Sequence, residues 1–289
     1  MLLADYLVQS PAVFLTIVAI LGLIVGSFLN VVIYRLPVML DRAWRRESGE
    51  TPPQDEEPFN LAVPRSRCRQ CGHLISAWEN VPIVSYALLR GRCHGCRTHI
   101  SVRYPIVELL SGALSVAIAW HFGVSLETAA GLILTWTLIT LAFIDIDHQL
   151  LPDVITLPLL WVGLGLSLLW PAGDVFAQPR AAIIGAIAGY GCLWLVFHAF
   201  KLATGKEGMG YGDFKLLALL GAWLGWEMLP LVVLLAAGVG ATVGISMILA
   251  KRLQRETPIP FGPYLAAAGW IAMIWGHPIM NAYLATMAR

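Results

Sequence analysis

The chain has 289 residues, 58% of them hydrophobic and 13% charged, with a formal net charge of +1. Soluble domains carry about 25% charged residues, so this composition excludes an ordinary water-soluble domain, and so small a net charge gives no ground for a nucleic-acid partner. The apolar residues fall in blocks long enough to cross a bilayer, which takes roughly 20 residues as helix.

These blocks predict an all-α polytopic membrane protein with about eight transmembrane helices, because each span must close its own backbone hydrogen bonds. The spans are expected near residues 11–34, 105–122, 127–146, 154–170, 181–201, 213–228, 230–250 and 261–285. The first reads as a retained span and not as a signal peptide. Asp5 is the only charge before it, and no small-residue cleavage site precedes Arg35. Loop 35–104 holds eleven basic residues, all Arg; Lys201, Lys206 and Lys215 mark a second loop, and Lys251, Arg252 and Arg255 a third. Only Arg180 and Arg289 lie on the other side. Positive residues stay in the cytoplasm, so these three loops are expected to be cytoplasmic and both termini outside. The organisation expected is a first span at 1–34, a cytoplasmic loop at 35–104 and a seven-span membrane domain at 105–289. The acidic, Pro-containing stretch Glu47–Pro58 reads as a flexible surface loop.

Within the long loop, Cys68-Arg-Gln-Cys71 and Cys93-His-Gly-Cys96 form two C-x-x-C knuckles separated by 21 residues. Four thiolates at this spacing suit one tetrahedral structural zinc ion per chain. The glycines Gly72 and Gly95 suit a tight turn around it, and a reducing compartment disfavours disulfides. Free or redox-active thiols are the alternative. A closed four-thiolate site leaves no open position for a substrate water, so no hydrolytic role follows. His73, His94 and His99 read as surface side chains, and Cys192 as a core residue of an apolar span.

Two aspartates sit at the rims of apolar segments. Asp145 opens Asp145-Ile-Asp-His-Gln-Leu-Leu-Pro152-Asp153, and Asp213 closes Gly210-Tyr-Gly-Asp213. Carboxylates at a bilayer edge are rare without a function. A helix advances about 100° per residue, so Asp145 and Asp147 point to nearly opposite sides if the helix reaches them; Asp145 is the deeper. Asp153 reads as the N-cap of the following span. Asp213 alone could also be a helix cap. Its expected membrane face, shared with Asp145, and the adjoining helix ends favour a paired acid/base site. The two glycines would let a substrate strand approach.

Gly210-Tyr-Gly-Asp213 resembles the signature of the GxGD intramembrane aspartyl proteases. The whole chain resembles the bacterial type IV prepilin peptidases, the prepilin leader peptidase/N-methyltransferase family. The resemblance runs through Gly26-Ser-Phe-Leu-Asn-Val-Val-Ile-Tyr-Arg-Leu-Pro37, both knuckles, Arg103-Tyr-Pro-Ile-Val-Glu108 and Asp145–Asp153. It continues in Gly205-Lys-Glu-Gly-Met-Gly-Tyr-Gly-Asp-Phe-Lys215 and Pro258-Ile-Pro-Phe-Gly-Pro-Tyr-Leu265. It implies catalytic aspartates at Asp145, seven residues before Pro152, and at Asp213. It further implies cleavage of type IV prepilins and type II secretion pseudopilins after a Gly, at the cytoplasmic face of the inner membrane. N-methylation of the new N-terminal residue, usually Phe, by S-adenosylmethionine would follow.

Two neighbouring carboxylates cannot both ionise easily, so one of a pair holds a proton near neutral pH. The ionised one can take a proton from the attacking water while the other polarises the carbonyl. The methyl-donor pocket has no visible fingerprint. Asn30, Tyr34, Arg35, Glu108 and Lys206-Glu207 are polar candidates near the same face, with helix-end pairing and headgroup contact as their plainer roles. A proton- or cation-coupled transporter is the different-class alternative, with both aspartates as relay groups, but its carboxylates would more often lie at mid-membrane. A non-catalytic scaffold would leave both aspartate motifs unexplained.

Overall fold

The computed structural model describes residues 3–49, 58–170, 177–206, 208–250 and 259–287. Among these residues the fold is all-helical, with two isolated β-bridges and no sheet. The helices are α1 (Leu3–Gln9), α2 (Pro11–Glu47), α3 (Val84–Leu88), α4 (Arg103–Phe122), α5 (Leu126–His148), α6 (Asp153–Leu169), α7 (Pro179–Thr204), α8 (Tyr211–Leu224), α9 (Leu229–Leu249) and α10 (Gly262–Met287). Among the described residues five stretches are long and apolar enough to cross a membrane: α2, α4, α5, α7 and Trp226–Leu249. The chain forms two compact units, Met1–Thr140 and Leu141–Arg289. Residues 50–57, most of the stretch read as a flexible loop, lie outside the described residues, as do Glu207, Lys251, Arg252 and Arg255.

In the first unit α2 does not stop at residue 34. Its 37 residues run on to Glu47, a length of about 55 Å at 1.5 Å per residue, well beyond the hydrocarbon core. The extension carries Pro37 inside the helix, and Arg35, Leu36 and Pro37 are buried there. Small residues set its packing on α4. A side chain at Gly22 would meet Ser115 Oγ at 2.7 Å, and one at Gly26 would meet Glu108 Cα at 2.8 Å. Ser111 Oγ donates to the Gly22 carbonyl at 2.7 Å. This is close backbone approach of the small-xxx-small kind.

The second unit is built around α8. This 14-residue helix buries every residue from Leu216 to Trp223, together with Asp213 and Phe214. It packs on α6, α7, α9 and α10. At about 21 Å it is too short to cross alone, but a helix wrapped by protein does not need to match the bilayer. Gly185 of α7 and Gly221 of α8 bring the two backbones into contact. Tyr190, Phe197, Tyr211 and Phe214 then cluster with ring centroids 5.3–5.8 Å apart at the N-terminal end of α8, edge to face except for the tilted Phe197–Tyr211 pair. Trp223 Nε1 donates to the Leu159 carbonyl at 2.8 Å, tying α8 to α6.

Candidate active site and metal centre

Helix α5 does continue through Asp147, so the two aspartates at its end part company. Asp145 is 5% exposed, while Asp147 is exposed. Gln149, at φ 51, turns the chain out of the helix, and its N–H donates to the Asp145 carbonyl at 2.9 Å. Leu151 and Pro152 then fold inward and are buried. The Asp145 carboxylate accepts a 3.0 Å hydrogen bond from the backbone N–H of Gly262. Gly262 is the first residue of α10. The donor is therefore an otherwise unpaired N–H at a helix start, where the dipole favours negative charge.

Asp213 is 7% exposed and lies in the first turn of α8. Gly210, not Asp213, occupies the N-cap position, and the Asp213 N–H reaches the Gly210 carbonyl at 3.2 Å. The carboxylates of Asp145 and Asp213 are near enough for their charges to interact. Leu151 fits between the two glycine elements. A side chain on Gly212 would meet Leu151 Cβ at 2.8 Å. One on Gly262 would meet Asp145 Oδ2 at 2.7 Å and Leu151 Cδ2 at 3.2 Å. Gly212 therefore makes room for the chain's own Leu151, whereas a Cβ on Gly210 would meet nothing nearer than the Gly212 nitrogen at 4.0 Å.

The sequence expectations for Asp153 and Cys192 change here. Asp153 is not an N-cap: Pro152 holds that position, and Asp153 is the first helical residue. Its carboxylate instead takes both 2.7 Å bonds from Lys215 Nζ, linking α6 to α8. Cys192 is exposed on α7, a helix long and apolar enough to cross a membrane. The Gly262 donor was not anticipated as a site residue. It lies 117 residues from Asp145, and a backbone N–H leaves no side-chain signal. Its one trace in the sequence is a glycine between Phe261 and Pro263 at the start of an apolar run.

The polar candidates for the methyl-donor pocket are largely engaged in the first unit. Asn30 donates to the carbonyls of Gly26 (3.3 Å) and Tyr104 (3.1 Å). Arg35, 7% exposed, donates to Asn60 (2.8 Å) and Pro64 (2.6 Å) carbonyls. Glu108 accepts from the Ile83 N–H at 2.8 Å. Tyr34 lies under the Arg69 guanidinium at 3.9 Å. Lys206 is exposed.

The four loop cysteines come together. The sulfurs of Cys68 and Cys96 are 3.8 Å apart and those of Cys71 and Cys93 4.0 Å, and all four lie within 4.8 Å of one another. A tetrahedron with metal–sulfur bonds of about 2.3 Å has edges of about 3.8 Å, so the set fits a metal ion. The knuckles repeat one hydrogen-bond pattern. Gly72 N–H bonds to the Cys68 carbonyl at 3.0 Å, and Arg97 N–H to Cys93 at 3.0 Å. Bridges Arg67–Leu74 and Arg92–His99 close the two turns. The left-handed residue is Gly72 (φ 72) in one and Arg97 (φ 62) in the other. Gly95 is thus not the turn glycine. Its missing side chain leaves room for His73 Cβ at 3.2 Å and Cys71 Sγ at 3.4 Å.

Backbone N–H groups of Cys71 and Gln70 hold the Cys68 thiol below its ordinary value. The Thr98 hydroxyl and N–H bring Cys96 down to about 6. Against the His73 N–H, burial and the neighbouring sulfurs push Cys71 up to about 11. Four thiolates this close repel unless a cation lies between them. His73 is more than a surface side chain: its Nε2 lies 3.1 Å from Glu79 Oε1. The Ser76 hydroxyl and N–H, then His73, hold Glu79 down at about 2.

Comparison with known proteins agrees with both halves. Residues 20–122 match the bacterial peptidase A24 N-terminal domain, and residues 132–245 match the type IV leader peptidase family. The chain is 52% identical over 284 residues to a Stutzerimonas stutzeri protein named prepilin leader peptidase/N-methyltransferase, covering 97% of each. Proteins of the same name from Pseudomonas aeruginosa (52% identical, 98% of this chain and 97% of the relative) and Aeromonas salmonicida (54% identical, 96% of each) are similarly matched. No solved structure matches the chain. Two matched domains that together span most of its length, and relatives more than half identical from end to end, place the chain in the type IV leader peptidase family.

Proposed function

We propose that the protein is a membrane aspartyl endopeptidase that removes the leader of type IV prepilins and type II secretion pseudopilins after a Gly, and N-methylates the new N-terminal residue, usually Phe. Asp145 and Asp213 are the catalytic pair. The observation that carries this reading is their juxtaposition: two carboxylates, both more than nine-tenths buried, at adjoining helix ends within charge–charge range.

A single proton shared by the pair leaves one carboxylate able to accept a proton from water as its oxygen attacks the peptide carbonyl. The other donates its proton, first as a hydrogen bond to the carbonyl oxygen and then to the departing amine. The Gly262 N–H fixes the orientation of Asp145 and offsets its negative charge. The short, protein-wrapped α8 holds Asp213 against rotation.

In this reading Cys68, Cys71, Cys93 and Cys96 hold one structural zinc ion, which cross-links the loop and takes no part in cleavage. S-adenosylmethionine supplies the methyl group, and the acceptor is the unprotonated amine that cleavage exposes. No residues are assigned to the donor. The protein is a multi-pass inner-membrane protein. The finer topology has eight spans, lipid around them, and both aspartates and the zinc loop on the cytoplasmic side. Its divisions are a first span at 1–34, a loop at 35–104 and a membrane domain at 105–289. The arginine-rich loop and the position of both aspartates at helix ends support this placement. Incubation of purified full-length protein with a prepilin, followed by mass spectrometry of the product, tests the reading. Loss of the leader at Gly and a gain of one methyl group are expected; an intact prepilin with active-site residues in place would defeat it.

A further inference from the structure

Neither the aspartate pair nor the metal accounts for a cationic cavity on the second knuckle. Leu88, Leu89, Arg90, Arg92, Arg97 and His99 line a space of about 390 Å³. Two of the arginines, Arg90 (φ 52) and Arg97 (φ 62), sit in the left-handed region, which a side chain with a Cβ resists. Among the described residues no carboxylate pairs with Arg90, Arg92 or Arg97. Three guanidinium groups thus line one space with no paired carboxylate among the described residues.

The cavity is also anchored at the root of an apolar span. Ile83, just before α3, is bonded to Glu108 of α4. Gly91, between two of the arginines, accepts the Ile100 N–H at 2.8 Å, three residues before α4 begins at Arg103. Exposed apolar side chains accompany the charges: Leu88 is 71% exposed, Val84 on the same short helix 52%, and Val102 beside Arg103 59%. A soluble anion has no use for these. A ligand with an anionic head and an apolar body does.

We propose that this cavity is a headgroup site for an anionic phospholipid. The guanidinium forks grip the phosphodiester, while Leu88 and Val84 enter the acyl boundary. The inference rests on the membrane reading above for the loop's place beside a leaflet that supplies anionic lipid. It does not depend on cleavage or methylation.

The test uses full-length protein reconstituted with equal phosphatidylglycerol and phosphatidylcholine, then native mass spectrometry to count the lipid retained. Wild type should retain phosphatidylglycerol preferentially. Each arginine near the surface is worth about fivefold, so Arg90→Gln/Arg92→Gln/Arg97→Gln should weaken that preference by about 100-fold. Arg65→Gln/Arg67→Gln, elsewhere on the loop, should keep it. The metal-to-protein ratio of the triple variant reports whether the knuckles still fold. If it falls, the single Arg90→Gln variant decides, with a loss of about fivefold expected. Equal retention of the two lipids by wild type, or an undiminished preference in a folded triple variant, overturns the proposal. Displacement of the retained lipid by millimolar inorganic phosphate would identify a soluble phosphate as the ligand and overturn it too. A cleavage assay on the same samples reports separately on the peptidase reading.

Discussion

The two units of the chain bury charge in opposite ways. In the first, Arg35 and Glu108 are buried, and each meets backbone groups of opposite polarity. In the second, Asp145 and Asp213 are buried near each other, with only single backbone contacts among the described residues, Gly262 to Asp145 and Gly210 to Asp213. Buried groups satisfied by backbone hold a fold together. Two like charges gathered in apolar surroundings work against it. The contrast separates structural polarity in the first unit from reactive polarity in the second, and substitutions can test it.

The largest effect is expected at the pair. Asp145→Asn or Asp213→Asn should each lower prepilin cleavage by at least about 10²–10⁴-fold, with membrane insertion retained, as measured by leader release. Asp147→Asn should cleave near normally, since that side chain is exposed. The reverse outcome at 145 and 147 would move the catalytic role to Asp147. Next comes Gly262→Ala. Its methyl group would stand 2.7 Å from Asp145 Oδ2, and a displacement of about 1 Å at a reacting group can cost about 10²-fold. A variant with unchanged kcat would show that the Gly262 contact does not position Asp145.

Metal removal probes the other region. Cys71→Ser should release the zinc, seen by elemental analysis, and open the loop to proteases, because metal binding contributes directly to folding of such loops. Cleavage should fall less than in either aspartate variant. A metal-free protein with a protease-resistant loop would contradict the zinc reading. The smallest effects are expected where the substituted group takes no part in the property measured. Asp153→Asn breaks a pair whose carboxylate side is 52% exposed and should shift stability by less than about 1 kcal/mol in thermal unfolding. Asp213→Asn should leave methylation unchanged for a peptide supplied with its Phe N-terminus already free. An α-amino group has a reference pKa of about 7.7–8.0, so such a peptide presents neutral amine without the protease. Equal loss of both activities in a folded variant would argue for one shared centre.

Local spacing made much of this legible. The cysteines announce themselves by two knuckles, and Asp213 by its glycines. Helical rotation separates Asp145 from Asp147 without choosing between them; depth and the family resemblance favour Asp145, which is the buried one of the two. What stayed hidden depends on partners far along the chain. Asp153 looks like a cap until Lys215, 62 residues away, is seen beside it. Gly212 looks like an opening for substrate until Leu151 is found there. Cys192 looks buried because apolar neighbours in sequence do not distinguish a protein core from a surface facing lipid. The extension of α2 beyond residue 34 escaped for a related reason: hydropathy marks where the bilayer ends, and a helix can outlast it.

The bond from Gly262 to Asp145 also has a meaning in time. Chains emerge from the ribosome N-terminus first and fold as they are made. Asp145 and Asp213 are both synthesised well before residue 262, the position that supplies the donor, in a chain of 289 residues. Until then one carboxylate lacks the N–H that orients it, and leaving such a group unsatisfied in an apolar setting is costly. The nascent protein would therefore carry Asp145 for 117 residues of synthesis without its donor, the final part of that stretch with Asp213 also in place. Completion would coincide with arrival of the helix that begins at Gly262, a built-in delay between insertion into the membrane and competence to cut.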